Sequence, residues 1–189
     1  MLKNTLDSYG SVAKFLHWLI ALLILTVLAV GFIMTGLPKT PDTFRVIGWH
    51  KSLGITVLTL VALRLLWKSM NIYPALPAAL SMVEKLLAHL GHGFLYALMI
   101  AMPLSGWMMS SAAGFTVSVF GWFLLPNLVA PDPALKRTLV ELHGTLAWAL
   151  IGMIALHVLA ALLHHFYYKD DVLLRMLPFV KRRNHAPDN

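Results

Sequence analysis

Four stretches of this chain are long and apolar enough to cross a lipid bilayer, and nothing else in the sequence restricts its fold as strongly. They run over about residues 12–37, 48–67, 86–111 and 142–168, and crossing the hydrocarbon needs roughly 20 apolar residues. Inside hydrocarbon the backbone has no water to bond with, so each stretch must satisfy itself as a helix. Only 12% of the 189 residues are charged and 59% are hydrophobic, where soluble domains carry about a quarter charged residues. The first stretch is longer than a signal-peptide core and lacks a small-residue cleavage site, so it reads as a retained span. The expected fold is all-α: one integral membrane domain, an up-down four-helix bundle, with a basic tail over 169–189.

Basic residues give the orientation. An even number of spans leaves both termini on one side, which then holds Lys3, Lys14, Arg64, Lys68, Lys85, Lys169, Arg175, Lys181, Arg182 and Arg183. The other side holds Lys39, Arg45, Lys51, Lys136 and Arg137. The excess predicts that both termini are cytoplasmic. The net charge of +7 is then a topology signal, with the tail "KRRN" facing anionic lipid headgroups, and it calls for no nucleic acid. The chain has no cysteine, which excludes disulfides, a covalent c-type haem and a cysteine-ligated iron–sulfur cluster.

Proline-containing links, "GLPKTPDTFRVIG" outside and "SMNIYPALPAALSMVEK" inside, separate the first three spans, and Pro103 is expected to kink the third. The outer segment 112–141 contains "FTVSVFGWFLLP", which suits the membrane interface with Trp122 as an anchor. There is no internal repeat.

Nine histidines are the unusual feature, because ionisable residues inside membrane spans mark function by default. His143 and His157 are fourteen residues apart, nearly four turns, so they share a helix face about 21 Å apart along the axis. His143 lies at the outer end of its helix and His157 in the inner half. His17 on the first span matches the inner depth, and His50 on the second matches the outer one. The suggested pairs are His17 with His157 and His50 with His143. Two axial imidazoles from facing helices are what a six-coordinate b-type haem requires, so the four histidines are candidate metal ligands for two haem b groups. Each has a small residue one turn later, Ala21, Gly54, Ala147 and Ala161, whereas His92 and His164 are followed by Tyr96 and Tyr168.

Other candidates keep two readings each. Arg64, fourteen residues after His50, suits either a propionate of the inner haem or a plain positive-inside charge. His164, about 10 Å beyond His157 on the same face, suits a quinone contact or an interfacial position. His89 and His92, at the inner start of the third span, suit the interface, a propionate or a quinone, and as ligands would compete with His17. His165 points away from His164, and His185 lies in the polar tail. Methionines and tryptophans read as packing and interface anchors.

The segments "FLHWLIALLI", "GWHKSLGITVLTLVALRLLW", "LAHLGHGFLYALMIAMPLSGWMM", "ELHGTLA" and "LHVLAALLHHFYYKDDVLLRMLP" resemble the bacterial cytochrome b561 family over nearly the whole chain. The resemblance implies a four-helix, two-haem-b protein of the inner membrane, with axial ligands at His17, His50, His143 and His157. Some members resemble superoxide oxidase, which passes an electron from periplasmic superoxide through the haems to ubiquinone, and the quinone site would lie around His164 and the inner haem. Arg45, Lys51, Lys136 and Arg137 fall on the outer side near His50 and His143, where they form either a positive funnel for a small anion or ordinary loop charges; Trp49 is placed at the same haem edge. The competing expectations are a cytochrome b electron-transfer subunit of a larger dehydrogenase or hydrogenase-type complex, and a histidine ladder moving protons or metal ions in a transporter.

Overall fold

A computed structural model describes residues 1–6, 8–75, 80–178 and 180. The expectations for "KRRN" and His185, and part of the inner link, lie outside the described residues. Four helices are long and apolar enough to cross a membrane: α1 (Ser11–Thr35), α2 (Pro41–Ser69), α3 (Met82–Ala112) and α4 (Pro133–Leu163). Packing runs α1 on α2, α2 on α3 and α3 on α4, an all-α bundle.

Three of the four helices begin on chemistry that is plain in the sequence. Thr40 accepts the amide of Thr43 ahead of Pro41, and Asp132 accepts the amides of Ala134 and Leu135 ahead of Pro133. At α3, Ser81 and Glu84 form a reciprocal capping box, satisfying two amides that the first turn leaves open. These caps sit several residues outside the apolar runs. At 1.5 Å per residue the 31 residues of α4 extend about 46 Å, beyond the roughly 30 Å hydrocarbon layer. Hydropathy marks the lipid thickness, and the caps mark the helix ends. Pro103 lies inside α3, which continues through it to Ala112.

The outer segment after α3 is more ordered than a loop. It folds as a hairpin of β1 (Val117–Val119) and β2 (Phe123–Leu125), the strand pair found among the described residues. Phe120 and Gly121 both have positive φ, 51° and 77°, and the Trp122 amide returns to the Val119 carbonyl, the two-residue turn that matches strand twist. Buried Ser52 on α2 holds this turn: its Oγ accepts the Phe120 amide at 3.0 Å and is 3.1 Å from the Ser118 carbonyl. Trp122, Phe123 and Leu124 point outward. Phe120 packs on Trp49 at 5.6 Å between ring centroids.

Ile20, Ile24, Val57, Val61, Leu98 and Leu150 form a buried hydrophobic cluster in the bundle. Leu150 is midway between His143 and His157, so this cluster lies between an outer and an inner histidine level. At the inner end α4 widens into a π turn over His164–Tyr168, and the chain reverses at Lys169 (φ 55°) into α5 (Val172–Met176). Lys14 and Trp18 of α1 donate to the Leu177 and Met176 carbonyls, tying the return segment to the bundle. The amino-terminal arm closes the same end, where Tyr9 packs edge-on against Tyr73. Burial and this neighbour push the Tyr9 phenol above its usual value.

Candidate functional site

At the outer level His50 of α2 faces His143 of α4 with ring centroids 6.3 Å apart. At the inner level His17 of α1 faces His157 of α4 at 6.2 Å. An iron bound about 2.0 Å from a nitrogen of each ring would separate the centroids by roughly 6.3 Å. Both pairs therefore have the ring spacing of a bis-imidazole iron, and neither histidine of a pair shares a helix with its partner.

Space beside the outer pair supports the same fit. One cavity of about 420 Å³ is lined by His50, His143, Gly54, Ala147, Met99 and Pro103 among others. A second, of about 250 Å³, also reaches both histidines and is lined by Lys51, Lys136, Gly106 and Ser110. Gly54, a turn beyond His50, has nothing within 4 Å of where a Cβ would stand.

The rings are held by neighbours on the adjacent helices. Ser105 Oγ donates to the Met102 carbonyl at 2.7 Å and lies 2.8 Å from His143 Nδ1. Its hydrogen being engaged, the serine oxygen accepts from Nδ1–H, which leaves Nε2 as the free nitrogen of His143. Nδ1 of His50 is buried without a hydrogen-bond partner. Gly31 and Gly106 press on the two rings: a Cβ at either would stand 3.0 Å from the Cε1 of His50 or His143.

Ser105, Gly31 and Gly106 are absent from the sequence reading, yet two of them carried a signal. Gly31 follows His17 by fourteen residues and Gly106 follows His92 by fourteen, the same interval as His50 to Arg64 and His143 to His157. Each helix thus sends one residue to each level. The outer level receives Gly31, His50, Gly106 and His143; the inner level receives His17, Arg64, His92 and His157.

The inner level is more polar. Arg64 Nη1 lies 2.8 Å from His17 Nδ1 and the guanidinium stands 5.9 Å from the Tyr96 ring. His92 stacks edge-on against His157 at 5.6 Å, so it belongs to this level and not to the interface. His89 Nδ1 is 2.6 Å from the Lys85 carbonyl of its own helix and is exposed. His164 Nδ1 is 2.6 Å from Asp170 Oδ2, while His165 packs on Phe166.

The outer basic residues separate into two kinds. Lys51 Nζ bonds Ser110 Oγ at 3.0 Å and, with Lys136, lines the smaller cavity. Arg45 pairs with Asp42 at 3.3 Å on the exposed first turn of α2. Trp49 packs on the hairpin rather than on the cavity.

Comparison with known proteins bears on these two levels. The family model described as prokaryotic cytochrome b561 matches residues 8–179. The chain is 35% identical over 181 residues to cytochrome b561 homolog 2 of Escherichia coli, covering 92% of this chain and 93% of that one. It is 33% identical over 163 residues to the probable superoxide oxidase CybB of Yersinia pestis, covering 86% and 92%. To cytochrome b561 homolog 1 of Escherichia coli it is 31% identical over 176 residues, covering 92% and 98%.

Proposed function

The chain belongs to the prokaryotic cytochrome b561 family of haem-binding membrane electron-transfer proteins, and on that premise we propose that it is a superoxide oxidase with two haem b sites that reduces ubiquinone. His50 and His143 would hold the outer haem, His17 and His157 the inner one. Haem b supplies reversible one-electron chemistry when bound. The balanced reaction takes one electron from each of two superoxide anions, releasing two O₂, and adds two electrons and two protons to one ubiquinone to give the quinol. Both termini lie in the cytoplasm, so superoxide is consumed at the periplasmic face of the inner membrane and ubiquinone is reduced toward the cytoplasmic side.

The observation that carries the donor reading is the smaller outer cavity, where Lys51 and Lys136 line the same space as both outer histidines. No carboxylate is among its lining residues, so the two ammonium groups attract a small anion toward the histidine pair. The name of the relative from Yersinia pestis supports the same donor. At the other end Arg64 would take a propionate of the inner haem by turning from His17 Nδ1, and His164 would contact the quinone.

An optical spectrum and a superoxide pulse test the reading together. The purified protein should show reduced b-type bands, reduce within the pulse, and pass electrons to an added short-chain ubiquinone. Haem reduction no faster in wild type than in a variant with both cavity lysines removed would overturn the donor assignment.

A further inference from the structure

The π turn at the end of α4 places a carboxylate against His164. A regular α-helix would carry residues 164–168 on with one residue fewer per turn, and the left-handed Lys169 then turns the chain back. The Lys169 and Asp170 amides both close on the His164 carbonyl. That return brings Asp170 Oδ2 to 2.6 Å from His164 Nδ1, while Asp170 Oδ1 accepts the Val172 amide at 3.0 Å. Both carboxylate oxygens are thereby engaged, and each side chain of the pair retains 20% of its accessible surface. Wide π turns of this kind recur at functional sites.

We propose that Asp170 is the positioning residue for proton delivery by His164 to the quinone, an inference that rests on the quinone reading of the preceding section. With its Nδ1–H held by the carboxylate, neutral His164 has Nε2 as its only open nitrogen. A proton from the cytoplasm adds to Nε2, and the resulting imidazolium is stabilised by the adjacent carboxylate. Nε2–H then transfers to a quinone oxygen as the electron arrives, and the ring returns to neutral. Two such cycles, with two electrons from the outer donor, convert the quinone to the quinol. Of the other charged groups at this end, Glu84 of α3 is bonded by Ser81, stands near Tyr168 and is a second acid acting on His164, and Asp171 has a buried Oδ1 with no hydrogen-bond partner. Arg175 of α5 donates to the Ala75 carbonyl, and Lys14 of α1 donates to the Leu177 carbonyl. Tyr168, with its ring 5.2 Å from His164, covers one side of the imidazole.

The test uses the full-length haem-loaded protein in three forms: wild type, Asp170→Asn and Asp170→Glu. Asparagine keeps an acceptor for the Val172 amide, so the fold is retained, and an unchanged haem spectrum verifies this. Superoxide-driven haem reduction, haem reoxidation by a short-chain ubiquinone, and dye-detected proton uptake are followed from pH 5.5 to 8.5. The expected result is haem reduction as in wild type, reoxidation and proton uptake slower by about 10- to 100-fold in Asp170→Asn with a changed pH profile, and recovery in Asp170→Glu. Asp170→Asn with wild-type reoxidation and pH profile would overturn the role of Asp170 while leaving the quinone reading intact. Wild-type haems that are reduced by superoxide but not reoxidised by ubiquinone would overturn both. Should Asp170→Asn load haem poorly, His164→Gln supplies the same comparison, since the inference requires it to show the same slowed reoxidation.

Discussion

Substituting Gly106 by alanine tests how closely the outer histidine is held. The added Cβ would stand 3.0 Å from His143 Cε1 and 3.5 Å from its Nδ1, whereas carbon atoms rest at about 3.5–4.0 Å. The ring must therefore move by roughly 0.5 Å, away from a hydrogen bond to Ser105 that is now 2.8 Å. Overpacking of this kind costs about 1–3 kcal/mol. Alanine regains about 1 kcal/mol of helix propensity, so global stability changes by at most about 2 kcal/mol. Cofactor retention should respond more strongly, because disturbing the partner of a metal-ligating histidine typically weakens metal binding about 10- to 100-fold. If the proposed two haem sites are filled, the haem-to-protein ratio, measured by pyridine haemochrome absorbance during dilution, should fall from two toward one, with the remaining haem showing the inner site's midpoint potential. Gly152→Ala is the matched control, since a Cβ there meets nothing within 4 Å. Retention of both haems with unshifted potentials in Gly106→Ala would refute the claim that this contact sets the ring.

Reversing charge at the outer cavity, Lys51→Glu with Lys136→Glu, should slow stopped-flow haem reduction by superoxide about 10-fold or more at low salt, and the gap should narrow as ionic strength rises. His157→Ala should remove the inner haem, whereas His92→Ala should leave the haem count unchanged; a lost haem in the latter would mean that His92 is the ligand in place of His17. Ser52→Ala leaves the Phe120 amide without its acceptor, an unmet buried donor worth about 1–3 kcal/mol. A lower thermal midpoint with slower haem reduction is expected, and unchanged melting would show that the hairpin is held by its own strand pair.

The helical interval of fourteen was readable because it is a local property. The four spans and the shared face of His143 and His157 both follow from one helix at a time. The same arithmetic applied to glycine would have pointed to Gly31 and Gly106, which a search for ionisable residues passes over.

What the sequence determined by itself is therefore the membrane class, the helices and the two depths at which chemistry-bearing residues lie. Which side chains meet at each depth was decided by how the helices pack. That packing brings His50 and His143 to 6.3 Å across the bundle, sets Arg64 on His17, and gives Lys51 to the outer cavity while Arg45 pairs with Asp42. The contact between His164 and Asp170 needed one thing more, a π turn followed by a left-handed residue. Periodicity describes regular backbone, and a single widened turn reorients every side chain after it.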